Sequence, residues 1–360
     1  MVENVNLLKK ILPVYLLVSF SFVFAQDSTV SKTINTTYST LSRLRLSAEN
    51  PQILLNHSIK SGNNFKPNVA SPATFINSER PLIDGTTWRT NSDINYLRLS
   101  AMVGLMASVN TVAYLYQRKI WYKRETSAFH TLDFSFDWNK YQQMDKFGHF
   151  SDAYFTSDLA GKIYRWSGFS GETSVWLGAL SGWLWMLEIE VSDGFMADWG
   201  FSWGDMLANT VGSGFYVLQQ FNYDLLGGIH PKFSWHKSKI WIEKKNNYDP
   251  GAFFEDYEGM TFWLTVNPHH YFPESWKRNY PQWLAPLGIA FGVTAKGIAN
   301  DVFGGYKEYF VGLDVDLRKL PIGNDSNVFK FIKSEFNFLR MPLPTIRFSP
   351  HNGPWFGFYF

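Results

Sequence analysis

The sequence predicts an α+β protein, a compact bundle of about four apolar helices followed by a small antiparallel β-sheet with one short helix. Between residues 93 and 225, long apolar stretches are punctuated by helix caps and glycines. After about residue 250 the apolar residues alternate with period two instead. Small residues recur at x-x-x spacing inside the helical stretches, which lets helix backbones approach closely.

The chain opens with "MVENVNLLKKILPVYLLVSFSFVFAQDS". Lys9 and Lys10 precede an apolar run from Ile11 to Phe24, and Val-Phe-Ala occupies 23–25. This predicts a secretory signal peptide over 1–25, cleaved after Ala25. The run is about 14 residues, short of the ~20 needed to span a bilayer. Residues 26–92 are rich in Ser, Thr, Asn and Pro and predict an extended arm or linker.

The first helix is "DINYLRLSAMVGLMASVNTVAYLYQRKIWYKRE", 93–125. Leu99–Tyr116 is nearly unbroken apolar or small, with Arg98 before it and Arg118 and Lys119 after it. That fits a bilayer-crossing helix or a fully buried central one. After a connector at 129–143, a second helix runs from about Asp145 to Trp166 and ends at Gly168. The third has Ser170 as N-cap and stops at Gly194; the fourth opens at Ser202 with an S-x-x-D cap formed with Asp205. Gly178, Ala179 and Gly182, then Ala208, Gly212 and Ser213, predict close packing of these last two.

Residues 226–257 read as a linker, and 258–360 as the β-rich region. "GMTFWLTVN", "LGIAFGVTAKG" and "YFVGLDVDLRKL" predict strands, "NVFKFIKSEFNFLRM" an amphipathic helix, and "PTIRFSP" and "WFGFYF" the closing strands. Phe356, Phe358 and Phe360 share a face, as in the terminal strand of bacterial outer-membrane proteins. A closed membrane barrel needs at least ~8 strands, more than this sequence supplies.

Composition narrows the function classes. Net charge is +2, and no basic stripe interleaved with aromatics is present, so nucleic acid is not an expected partner. Cysteine is absent, which removes disulfides, thiolate metal sites and lipid attachment through a cysteine. The aromatic fraction is 18%, equal to the charged fraction. It suits a membrane boundary or a large aromatic core.

Three helical segments carry ionisable groups. "QMDKFGHFSDAYF" puts Asp145, His149 and Asp152 on one face. "EIEVSDGFMADWG" holds Glu188, Glu190, Asp193 and Asp198. "WGDMLANTVGSG" aligns Asp205, Asn209 and Gly212. Buried charges must pair or face a wet cavity, so an interior cluster is expected. His149, Asp145, Glu188 and Asp205 are the candidate catalytic groups, with His149 oriented by Asp205 or Glu188. Asp193 and Asn209 are candidate ligand-binding groups. One histidine with carboxylates suits Mg or Ca as well as Zn, and the sequence names no cofactor. The same residues also suit helix capping and a register-fixing polar network.

The pattern D-K-x-x-H-F at 145–150, a glutamate followed five residues on by D-G, and W-x-D-x-x-A-N-x-x-G at 203–212 resembles the YfiM-like group of predicted periplasmic lipoproteins of unknown function. The matching core spans about 140–222, and Asp145, His149, Glu188, Asp193, Asp205 and Asn209 are its motif positions. More distantly, the first and last motifs resemble VanZ-like membrane proteins. The resemblance implies an exported bacterial envelope protein, in the outer membrane or periplasm, with membrane lipid or envelope components as partners. One expectation is a structural or assembly role. The other is a membrane-proximal enzyme, or a protein binding a lipid or cell-wall precursor, using the His/Asp/Glu site.

Overall fold

Residues 81–120, 126–245, 250–299 and 301–359 are described by a computed structural model. The predicted signal peptide and most of the arm lie outside them. The described residues fall within the unit Ser78–Phe360. The end of the stretch read as an arm is packed: Leu82 and Trp88 are buried, and Asp84 pairs with Arg165 at 2.6 Å.

Helix α1 spans Tyr96–Ile120. Neither expectation for it holds. Among the described residues no helix is long and apolar enough to cross a membrane. Nor is α1 central: Met102 and Asn110 are buried, while Leu97, Leu105, Val109 and Val112 are exposed. It lies on the side of the bundle and donates from Asn110 Nδ2 to Glu188 Oε2 at 3.0 Å.

A short helix α2, Phe134–Asn139, is capped by Asp133, whose carboxylate accepts from Phe136 N. A tight turn then leads into α3, Met144–Trp166. In that turn Tyr141, Gln142 and Gln143 have φ of 52°, 52° and 60°. Three successive non-glycine residues in the left-handed region need outside support. Two bonds to a loop much later in the chain supply it, from Tyr141 N to Val302 O at 2.6 Å and from Gln142 Nε2 to Gly304 O at 3.0 Å.

Helices α4, Gly171–Asp193, and α5, Trp203–Phe221, start at the caps read from sequence. Ser170 Oγ accepts from Thr173 N at 3.2 Å, and Ser202 Oγ from Asp205 N at 2.9 Å. A Cβ on Gly178 would lie 2.7 Å from the α3 backbone at Ser157 and Gly161. A Cβ on Gly212 would lie 2.2 Å from Phe150 O. Both α4 and α5 therefore touch α3 backbone to backbone. The bundle interior is unusually polar, with Ser157, Ser174, Asn209, Gln219 and Gln220 buried, while Trp166, Trp176, Trp203 and Leu207 are exposed.

Six antiparallel strands follow in sequence order: β1 Ile229–Trp235, β2 Met260–Val266, β3 Leu287–Lys296, β4 Tyr306–Val315, β5 Leu343–Phe348 and β6 Trp355–Tyr359. The amphipathic helix α6, Asn327–Phe336, separates β4 from β5. Strand β1 falls inside the stretch read as a linker. Its Pro231, His230 and Lys232 mask the alternation Ile229, Pro231, Phe233, Trp235. Proline is tolerated because β1 is the edge strand of the ladder. The free side of β1 is partly covered by a bridge, Phe233 N to Phe338 O at 2.8 Å and Arg340 N to Phe233 O at 2.9 Å.

Register sorts the sheet into two unlike faces. One carries Lys232, Thr265, Glu308, Asp314 and Thr345, with Trp263, Phe310 and Tyr359 among them. It is interior: Lys232 pairs with Asp314 at 2.8 Å, and Arg340 stacks over Trp263 at 3.8 Å. The other face is apolar. Helix α3 covers it at β1 and β2, where Phe147 stacks on Phe262 with ring centroids 6.0 Å apart.

Candidate functional site

The centre of the bundle is a cluster of charges drawn from α2 to α5. Lys146, the third residue after the left-handed turn, is buried and points its ammonium at three carboxylates. Nζ lies 2.8 Å from Asp137 Oδ2, 2.9 Å from Asp205 Oδ1 and 3.1 Å from Asp145 Oδ2. His149 sits one turn further along α3. Its Nδ1 is 3.2 Å from Asn209 Oδ1 and 3.5 Å from Glu190 Oε1. Its Nε2 is 3.8 Å from both Asp145 Oδ1 and Asp205 Oδ2.

The surrounding donors fix the carboxylates. Ser202 is the hinge of the arrangement: its N–H donates to Glu190 at 3.0 Å and its hydroxyl to Asp137 at 2.6 Å, while that hydroxyl also caps α5. Tyr257, from the segment before β2, donates its hydroxyl to Asp145 at 2.7 Å.

Electrostatics decide the protonation state. Burial alone would lower the His149 pKa, but Asp205, Glu190 and Asp145 outweigh it and push it up to about 10. The imidazole is therefore a cation at neutral pH, with both ring nitrogens protonated, and Nδ1 donates to Asn209. Burial would raise the Asp145 pKa, but His149, Lys146 and the Tyr257 hydroxyl hold it down at about 2. Burial and the nearby Asp145 charge raise Asp205 to about 6, against the pull of His149 and Lys146. Glu190 is pushed well up by burial.

Of the residues singled out in the sequence, the fold brings Asp145, His149, Asp205 and Asn209 together. Glu188 is elsewhere. Two residues along a helix is a turn of about 200°, so of Glu188 and Glu190 only one can face His149. Glu190 does; Glu188 faces α1 and Asn110, and burial raises its pKa to about 7. Asp193 ends α4, where its carbonyl accepts from Met196 N, and its charge helps to raise the Glu190 pKa. Asp152 is exposed on α3. Sequence reasoning missed Asp137 and Tyr257 and left Lys146 out of the site. An interior lysine beside an aspartate, on an apolar helix, was the available signal.

Ligand atoms of Asp145, His149 and Asp205 lie within 4.8 Å of one another, close enough to hold a divalent cation were His149 neutral. Lys146 and protonated His149 already supply positive charge at that spot.

Residues 135–221 match the family described as "Predicted periplasmic lipoprotein (DUF2279)". The matched segment runs from α2 to the end of α5 and contains all the cluster residues except Tyr257. It is similar to an envelope family of unknown function, which supports a cell-envelope location for this chain. Comparison with curated proteins and with solved structures finds no match. These 360 residues contain no cysteine, so they offer no thiol for a lipoprotein's lipid.

Proposed function

We propose that this is a non-enzymatic structural or assembly protein of the cell envelope, at the outer membrane or in the periplasm. Its charge cluster locks α2, α3, α4 and α5 in register. The observation that carries the reading is Lys146, enclosed by three carboxylates from three helices at 2.8–3.1 Å. A buried charge network with its partners in place favours one arrangement of the helices over slipped ones. Protonated His149 has no free lone pair at neutral pH, so it serves as a second internal cation rather than a base. The motif likeness to the YfiM-like and VanZ-like groups supports an envelope setting and implies no reaction.

A second reading rests on the Asp145–His149–Asp205 spacing: a metal or polar ligand bound there, in a membrane-proximal enzyme or a protein holding a lipid or cell-wall precursor. Thermal melting separates the two. The structural role predicts that His149→Ala and Asp205→Asn both lower Tm, and that Zn, Mg, Ca or a chelator leaves the parent protein's Tm unchanged. A rise in Tm with one of these ions, abolished in His149→Ala, would transfer the assignment to the second reading.

A further inference from the structure

We propose that the convex apolar face of β3–β6, with the apolar side of α6, is embedded in the hydrocarbon of a lipid bilayer. This goes beyond the role of the charge cluster and does not depend on it.

The curvature comes first. Strands β2 and β6 are four ladder steps apart, which in a flat sheet would separate them by about 19 Å. Yet the Trp263 and Tyr359 rings lie 6.1 Å apart, and Thr261 Oγ1 is 3.2 Å from the Tyr359 hydroxyl. The sheet curls around its polar face, and the apolar face is on the outside of the bend. Arg340 links the remaining gap. It donates to Tyr359 O on β6, while its backbone bridges to β1.

The polarity of the sheet is inverted relative to a water-soluble one. Ion pairs sit inside; Ile289, Phe291, Val311 and Leu313 point outward and are exposed. At β6, Phe356 and Phe358 are 70% and 73% exposed. From Leu287 to Val293 and across to β6, no outward position carries a charge. That band is about 20 Å along the strand, near the ~25 Å apolar height of membrane barrels. Its outer end is marked by Lys307, paired opposite Ala295. Strands β3 and β4 are each 10 residues long, the length a membrane strand needs.

Helix α6 repeats the inversion. Val328, Phe331, Ile332 and Phe336 form an exposed stripe. Its inner side carries Ser334 and Glu335, and Glu335 accepts from Lys162 at 2.6 Å. An amphipathic helix with an open apolar side is the usual form of an interfacial anchor.

The occupant follows from shape and continuity. The same apolar face already packs α3 at β1 and β2, so it is a surface for burial that, among the described residues, runs on uncovered across β3–β6. Being convex and without charge, it offers a protein partner no cleft and no polar rim to recognise. A fluid apolar phase needs neither.

The absence of cysteine makes the test direct. Phe291→Cys and Phe356→Cys each take one nitroxide label, and Glu274→Cys, on an exposed side chain, is the aqueous control. The full chain is reconstituted into phosphatidylethanolamine–phosphatidylglycerol vesicles, and each labelled protein is checked for an unchanged melting curve. The proposal expects labels at 291 and 356 to collide with oxygen and lose collisions with an aqueous nickel chelate, while the label at 274 meets the chelate. Chelate access at 291 and 356 equal to that at 274 would mean a wet surface. Low collision with both probes would mean coverage by protein, from another segment or a second copy. Either result overturns the proposal.

Discussion

Replacing Lys146 with methionine removes the cation shared by Asp137, Asp145 and Asp205 while nearly keeping the side-chain volume. At about 2.9 Å, each carboxylate attracts the ammonium by roughly 6 kcal/mol at an effective dielectric near 20. The sum over three is far more than the protein loses. Lysine is costly to desolvate, the carboxylates repel one another, and Asp205 can take up a proton once the cation is gone. Removing one partner of a buried pair typically costs about 3–5 kcal/mol. For a unit the size of Ser78–Phe360 that lowers Tm by about 5–8 °C. Thermal melting followed by circular dichroism at neutral pH would measure it. Adding Asp205→Asn to Lys146→Met removes one stranded charge, so the double variant should be more stable than the sum of the single losses predicts, by about 1–2 kcal/mol. A loss below about 1 kcal/mol for Lys146→Met, or strict additivity in the double variant, would refute the idea of a shared internal cation.

Further outcomes follow from the same structure. The His149 pKa is raised from its ordinary 6.5 to about 10, so the stability it contributes is full below pH 6.5 and is lost as pH rises through 10. The stability gap between the parent and His149→Gln should therefore be widest near pH 6 and shrink towards pH 10; a gap that widens with pH in urea titrations would contradict this. Asn110→Leu strips Glu188 of its donor and should cost about 1–3 kcal/mol, with earlier proteolytic cleavage in α1 as the readout. Gly178→Ala drives a methyl against the α3 backbone and should cost about 1–3 kcal/mol in chemical denaturation, whereas a neutral result would show that α3 and α4 can separate freely.

Local chemistry made the helical half readable. The Ser170 and Ser202 caps depend only on neighbouring residues, and both helices begin there. The D-K-x-x-H and W-x-D-x-x-A-N patterns likewise place Asp145, His149, Asp205 and Asn209 on faces that meet. The choice between Glu188 and Glu190 was not readable, because it depends on how α4 is rotated against α3. That rotation is set by Gly178 and Gly182 lying against Ser157, a contact between distant residues. Asp137 was hidden for a related reason: it caps nothing in sequence and gains its meaning from Ser202, 65 residues away. Strand β1 was obscured by its own proline. The alternation in β3 and β4 was plain, but nothing local told which face would turn inward; the polar one does.

The entry to α3 ties the two halves of the protein to one fate. The left-handed turn at Tyr141–Gln143 is pinned by carbonyls of Val302 and Gly304, and Asp145 is held by Tyr257. Residues 135–221 thus borrow their most delicate corner from chain that is made later. A nascent polypeptide that has emerged only as far as α5 would hold its lysine and carboxylates in an unfinished frame, and the hairpin between β3 and β4 would be the piece that completes it. The entry to the motif-bearing helices therefore cannot be complete until Val302 and Gly304 have been made, although those helices are synthesised first.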